Sequence, residues 1–187
     1  MKIKFNKLKK KEIRTKILDK RKNFNKRKNE IKFKKIFNIL LKEKFFNKKI
    51  GGYFPINCEI DDLNLLKQFE QKGYLICLPV IRKNHQMYFS KWSYGDPLKI
   101  NDLGIPEPVV KKKVLPDIFL VPMVAFDFKR NRLGYGGGYY DTFIKKINKI
   151  KKNIKIGLAF SIQRIKKIPM SKHDQSLDYV VTDKYIL

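Results

Sequence analysis

The densest chemistry in the chain lies between residues 121 and 143, VPMVAFDFKRNRLGYGGGYYDTF. An apolar run leads into a loop, then into Arg132-Leu133-Gly134-Tyr135-Gly136-Gly137-Gly138, then into a helical pattern. Glycines accept positive φ and let a ligand approach the backbone closely. Successive amide N–H groups at a helix start cradle an anion, and the helix dipole adds to the field. Arg132 can clamp phosphate oxygens through two parallel donors. Asp141, just inside the helix, can hold Mg²⁺ directly or through water. The string lacks the G-x-x-x-x-G-K-[ST] spacing of a Walker loop, and Tyr139 stands where G-x-G-x-x-G needs its third glycine. On the glycines alone, a phosphate cradle and a ligand-free turn are equally good readings.

The elements that must position this string follow from the hydrophobic pattern. Residues 8–29 and 30–47 carry apolar side chains near the 3.6 period and predict two N-terminal helices with Lys-rich outer faces. Gly51-Gly52 ends that pattern. Strands are expected at 53–56, 74–80, 86–90, 118–126, 154–160 and 179–182, and helices at 61–72 and from 139 to about 150. Residues 95–113 read as loop, and Pro122 is an awkward residue inside a strand. Strands that are apolar throughout, alternating with helices, imply an α/β fold. The expected architecture is a single three-layer α/β/α domain spanning residues 1–187, with a mostly parallel sheet and an N-terminal helical pair.

Composition narrows the function classes. The chain has 187 residues, 44 Lys or Arg, 17 Asp or Glu, and a formal net charge of +27. Residues 1–49 hold 21 of those 44 cations. A basic RNA- or ribosome-associated protein is the alternative function that this charge suggests. Readout of bases and phosphates favours Arg, whose guanidinium binds bidentately, yet Lys greatly outnumbers Arg here. Lys, Asn, Ile, Phe and Tyr are abundant together, which fits drift toward A/T-rich codons, so nucleic acid is not the expected partner. Cys58 and Cys77 form no C-x-x-C pair, and His85 and His173 complete no zinc pattern. The charged N-terminus lacks the apolar stretch of a secretory signal, and no run is long enough to cross a bilayer. A cytoplasmic monomer without membrane attachment is expected.

The string R-L-G-Y-G-G-G-Y-Y-D, preceded by P-M-V-A-F-D, resembles the signature of the 5-formyltetrahydrofolate cyclo-ligase family. Met123 departs from the family pattern, where Gly is common, and Gly137 stands where some relatives carry Lys. Further matches run along most of the chain: Lys10 to Arg14, Tyr53 to Glu59, Met87-Tyr88-Phe89, Gly104 to Pro108, and 156–178. The resemblance implies that Lys10, Arg14, Arg132 and residues 134–140 (Gly134, Tyr135, Gly136, Gly137, Gly138, Tyr139 and Tyr140) meet ATP. It gives catalytic roles to Arg132 and Tyr139. It places Phe54, Glu59 and Met87 at the folate, with Glu59 accepting hydrogen bonds from the pterin. It makes Asp141 and Asp178 Mg²⁺ ligands. Of Tyr139 and Tyr140, one is expected at the reacting groups and the other in the core. The implied reaction is ATP-dependent closure of 5-formyltetrahydrofolate to 5,10-methenyltetrahydrofolate, with release of ADP and phosphate. No Ser–His–Asp or Cys–His arrangement is legible, so covalent nucleophilic catalysis is not indicated.

Overall fold

The computed structural model describes residues 2–24, 30–46, 48–109 and 112–187, with side chains from residue 6 onward. Five strands form the parallel part of one sheet: β1 (Lys49–Gly51), β2 (Leu75–Arg82), β7 (Ile118–Pro122), β10 (Ile154–Ala159) and β11 (Tyr179–Thr182). Strands β3 (Gln86–Lys91) and β6 (Lys113–Val114) continue it antiparallel, giving the order β11-β10-β7-β1-β2-β3-β6. The helices are α1 (Lys2–Lys22), α2 (Phe33–Lys42), α3 (Leu63–Gln71) and α4 (Tyr139–Ile147). Among the described residues, no helix is long and apolar enough to cross a membrane.

Alternation along the strands divides the core. Ile118 and Leu120 of β7, with Ile76 and Leu78 of β2, join a cluster covered by α2 and α3. Phe119 and Val121, with Cys77, join a second cluster under Phe143, Ile144 and Ile147 of α4. Successive residues of a strand face opposite ways, so a strand buried on both faces must be apolar throughout. That is why IFLV at 118–121 carries no polar residue. The layered α/β architecture is the expected one.

Four local expectations are corrected. The helix expected over 8–29 runs from Lys2 to Lys22, and residues 25–29 lie outside the described residues. The two N-terminal helices pack into different clusters. Ile17 of α1 is buried with Val124, Ala125, Leu133 and Ile168, whereas Ile36, Ile39 and Leu40 of α2 join the first cluster. The strand expected at 53–56 lies earlier in the chain, at β1 (Lys49–Gly51), because Ile50 pairs with Ile76 and Ile118. Residues 95–113 contain a small hairpin of β4 (Leu98–Ile100) and β5 (Pro106–Pro108).

The fourth correction matters most for the site. The run 118–126 is not one strand. It leaves the sheet after Pro122, whose partner is Leu158, and resumes as β8 (Ala125–Phe126), paired with β9 (Arg132–Leu133). Gln163 holds the break. Its amide Nε2 donates to the carbonyls of Met123 at 2.9 Å and Val124 at 3.0 Å, and its Oε1 accepts from Phe160 N–H at 2.7 Å. Pro122 sits at the strand end, where a missing donor costs nothing. The break turns the chain toward Arg132 and the glycine string. Gln163→Leu would take these partners from Val124 carbonyl and Phe160 N–H, each worth about 1–3 kcal/mol, while Met123 carbonyl keeps its bond from Arg21 Nη1. The expected loss of unfolding free energy is about 2 kcal/mol or more, measurable by urea denaturation. A change under 0.5 kcal/mol would show that this amide does not organise the break.

Candidate active site

The glycine string forms the rim of a cavity of about 510 Å³. Gly138 ends the turn in a left-handed conformation (φ 69°) as the N-cap of α4, and Gly136 has φ 112°. A side chain at either would be strained. Thr142 N–H is the first to bond back, to Gly138 carbonyl at 3.0 Å, so the N–H groups of Tyr139, Tyr140 and Asp141 precede the helix ladder. Asp141 lies in the first turn, where the dipole favours a carboxylate.

Helix α1 closes this rim with its cations. Lys10, Arg14 and Arg21 lie within about 40° of one another on the helical wheel. Arg14 Nε donates to Gly134 carbonyl at 2.8 Å, and Lys10 Nζ contacts Asp174 Oδ2 at 2.5 Å. Burial pushes the Asp174 carboxyl up, but hydrogen bonds from Lys10 and Ser171 outweigh it and the net shift is down. Burial lowers the Arg14 pKa, which Asp174 partly offsets. Arg132 is 6% exposed and donates from Nη2 to Asp141 Oδ1 at 2.7 Å. The same oxygen accepts Gln175 N–H at 3.0 Å. At the far side, His85 Nδ1 lies 2.6 Å from Gly137 carbonyl, so that nitrogen carries the proton.

The opposite wall is the segment after β1. Phe54, Glu59 and Met87 all line the cavity. Glu59 is 6% exposed; its Oε2 accepts Ile56 N–H at 2.8 Å, and its Oε1 has no hydrogen-bond partner. Burial raises its carboxyl to about 7, although Ile56 N–H, Arg21 and Tyr135 each favour the ionised form. Tyr140 also presents a buried hydroxyl without a partner, and burial raises its pKa well above the usual phenol range. Arg132 Nε is likewise unpartnered. Buried polar atoms normally find partners, so three orphans lining one cavity mark a place built to receive polar ligand atoms.

Every expected site residue except Asp178 lines this one cavity: Lys10, Arg14, Phe54, Glu59, Met87, Arg132, residues 134–140 and Asp141. Asp178 is not among the lining residues; its Oδ2 accepts Lys155 N–H at 2.7 Å and pairs with Lys155 Nζ at 3.0 Å. Tyr139 and Tyr140 both reach the cavity, so the expected division into one ligand residue and one core residue is replaced by two lining residues. Sequence reasoning gave no site role to Asp174, His85, Tyr53 or the apolar lining residues Ile81, Leu103 and Ile105. The pairing of Lys10 with Asp174 spans 164 residues and leaves no local signature.

Comparison with known proteins places this geometry. A model of the 5-formyltetrahydrofolate cyclo-ligase family matches residues 6–183. The chain belongs to that family. It is 35% identical over 137 residues to the 5-formyltetrahydrofolate cyclo-ligase of Haemophilus influenzae, covering 70% of this chain and 73% of that protein. Identity to the Escherichia coli cyclo-ligase is 33% over 140 residues, covering 71% and 76%. Among solved structures, the Aquifex aeolicus 5,10-methenyltetrahydrofolate synthetase superposes with a TM-score of 0.75 at 31% identity, covering 95% of this chain and 91% of that one. A synthetase from Mycoplasma pneumoniae shares the fold with a TM-score of 0.71 at 22% identity, covering 93% and 98%. This family member is thus an enzyme with the family's α/β fold.

The Glu59 environment generates a stability prediction. A carboxyl whose folded pKa exceeds its unfolded value contributes stability that is complete below the unfolded pKa and lost as pH rises through the folded one. For Glu59 that window runs from 4.5 to about 7. Glu59→Gln cannot ionise, so its stability relative to wild type should rise between pH 5 and pH 8, by up to about 3 kcal/mol. Urea midpoints of both proteins across that range measure it. A difference that stays flat with pH would remove Glu59 as a buried titrating group.

Proposed function

We propose that this enzyme closes 5-formyltetrahydrofolate to 5,10-methenyltetrahydrofolate at the expense of ATP, releasing ADP and phosphate. The observation that carries the reading is the single cavity. Its rim is a glycine turn at a helix N-terminus with Lys10, Arg14 and Arg132 beside it, and its wall is Phe54, Glu59 and Met87. One end suits a triphosphate and the other a flat, N–H-rich ring. The names of the relatives supply the substrate class.

The chemistry asks the protein for little covalent work. The formyl oxygen attacks the γ-phosphorus, and the bond to ADP breaks. N10 of the folate then attacks the activated carbon, its proton is lost, and the C–O bond to phosphate breaks. Phosphorylation turns a poor leaving oxygen into a good one. Catalysis then rests on positioning and on neutralising charge around the phosphoryl group. Arg14 and Arg132 would face phosphate oxygens across the turn, whose backbone approaches closely because it lacks side chains. Phe54 and Met87 would hold the pterin and Glu59 would accept its ring and amino N–H groups. Tyr139 and Tyr140 would cover the reacting atoms from the start of α4.

Among the described residues no group of three or more His, Cys, Asp or Glu could cage a metal. The donors present instead suit Mg²⁺, which keeps water and binds through one or two carboxylates plus substrate phosphates. Asp141 lines the cavity and would hold it, adding neutralisation of phosphate charge; Asp178 lies outside the lining. Lys10 and Arg132 are now held by Asp174 and Asp141 at 2.5 and 2.7 Å. A Mg²⁺–triphosphate offers both members of each pair a new partner of opposite sign.

The test is growth of the near-ultraviolet band of methenyltetrahydrofolate, expected only when ATP, Mg²⁺ and 5-formyltetrahydrofolate are all present. Absence of that band with the purified enzyme would sink the proposal. Arg132→Ala, with circular dichroism confirming the fold, should lower kcat by a factor of about 100 or more. Wild-type turnover in that variant would remove Arg132 from the phosphate end.

A further inference from the structure

Arg21 is among the largest fully buried side chains of the described residues, 1% exposed. A guanidinium is always charged, and burying a charge is expensive unless a counter-charge meets it. Among the described residues, Arg21 meets no carboxylate within hydrogen-bond reach. Its Nη1 donates to Met123 carbonyl at 3.1 Å, and its Nη2 donates to Asn57 carbonyl at 2.7 Å and to the Tyr135 hydroxyl. Those acceptors sit on three parts of the site. Met123 is at the break after β7, Asn57 belongs to the folate wall, and Tyr135 stands inside the glycine turn. Asn57 and the following Cys58 both have positive φ (45° and 64°), so the segment leading to Glu59 is a strained turn that needs holding.

Neutral donors could hold the same three acceptors. What they would not supply is positive charge next to Glu59. Because the Tyr135 oxygen accepts from Arg21, its own proton is free to face Glu59, beside which it lies. Ile56 N–H, donating to Glu59 Oε2 at 2.8 Å, also favours the carboxylate, but it carries no net charge, and the neighbouring side chains give no such help. Asp62 is fully buried with Oδ1 unpartnered, and burial drives its carboxyl toward the neutral acid. Tyr53 gives its hydroxyl to Ile60 carbonyl, and Tyr140 is neutral. Arg21 is the cation that acts on Glu59.

We propose that Arg21 is a positioning residue: through Asn57 and Tyr135 it ties the folate wall to the phosphate turn, and its charge lets Glu59 meet the pterin as a carboxylate. This rests on the proposed function for the identity of the ligand. Burial alone drives Glu59 toward the neutral acid, which offers one acceptor fewer to a ring of N–H donors.

The test is the pH profile of kcat/KM for 5-formyltetrahydrofolate at saturating ATP and Mg²⁺, from pH 5.5 to 9.5. In wild type the acidic limb should follow Glu59, and Glu59→Gln should abolish it. Arg21→Met, similar in length and uncharged, should move the limb upward by about one pH unit. At pH 7 it should raise KM for the folate about fivefold, with kcat changed far less. Arg21→Lys, which keeps the charge, should restore most of the limb's position. A purely structural role would lower kcat/KM by the same factor at every pH, and that result, or an unmoved limb, overturns the inference. If Arg21→Met does not fold, Tyr135→Phe replaces it: the limb should again move up, and an unmoved limb overturns the inference. Wild-type enzyme that makes no methenyl product would instead sink the proposed function, so the two failures are separable.

Discussion

The hydrogen bond from Arg14 to the Gly134 carbonyl stands for a constraint on which the site depends: a helix held in place by its cations. Among its described side chains, α1 buries only Ile17 and Arg21. Such a helix has little apolar surface with which to dock. It is instead fastened through Arg14 to the glycine turn, through Lys10 to Asp174, and through Arg21 to the break after β7. Each fastening involves a charged donor, which makes a stronger hydrogen bond than a neutral one. The same helix is one side of the cavity. Docking and ligand binding therefore draw on one set of side chains.

That economy has an energetic cost visible in the buried polar atoms. Glu59 Oε1, Asp62 Oδ1, Arg132 Nε and the Tyr140 hydroxyl all lie out of water without partners. Each such group typically destabilises the fold by about 1–3 kcal/mol. The apolar layers on both sheet faces offset this, with Phe69, Phe89, Phe119 and Phe126 fully buried. A preorganised polar site is maintained by a core elsewhere, and ligand atoms recover the cost on binding.

The charge of the chain acts on a different scale. Most described lysines are exposed on helix faces and loops, and Lys129, Lys166 and Lys167 do not line the cavity. The cations that matter are the few that are partly or wholly buried. Arg21 donates from both ends of its planar guanidinium fork, which lysine lacks, whereas Arg14 and Arg132 each donate from one nitrogen. Two polyanionic ligands would also be steered toward so basic a surface.

Much of this was legible in the residue string, and the division follows from the range of the interactions. The glycine turn and the apolar runs of the sheet could be read directly, because backbone conformation and burial on both faces impose local patterns of residue type. So could the common face of Lys10 and Arg14, whereas the Phe54–Glu59 segment is singled out only by the family resemblance. The break at Pro122, the sheet order that places β1 between β2 and β7, and the removal of Asp178 from the cavity could not. Arg21 was one cation among many in a Lys-rich helix. Its partners lie 36, 102 and 114 residues away, and only the packed topology brings them within reach. Sequence by itself determined the helical segments and the long buried strands, since residue periodicity and burial on both faces leave a local pattern. Tertiary structure decided which charges meet, because a pairing across the chain is set by the path of the sheet and helices and leaves no periodic trace.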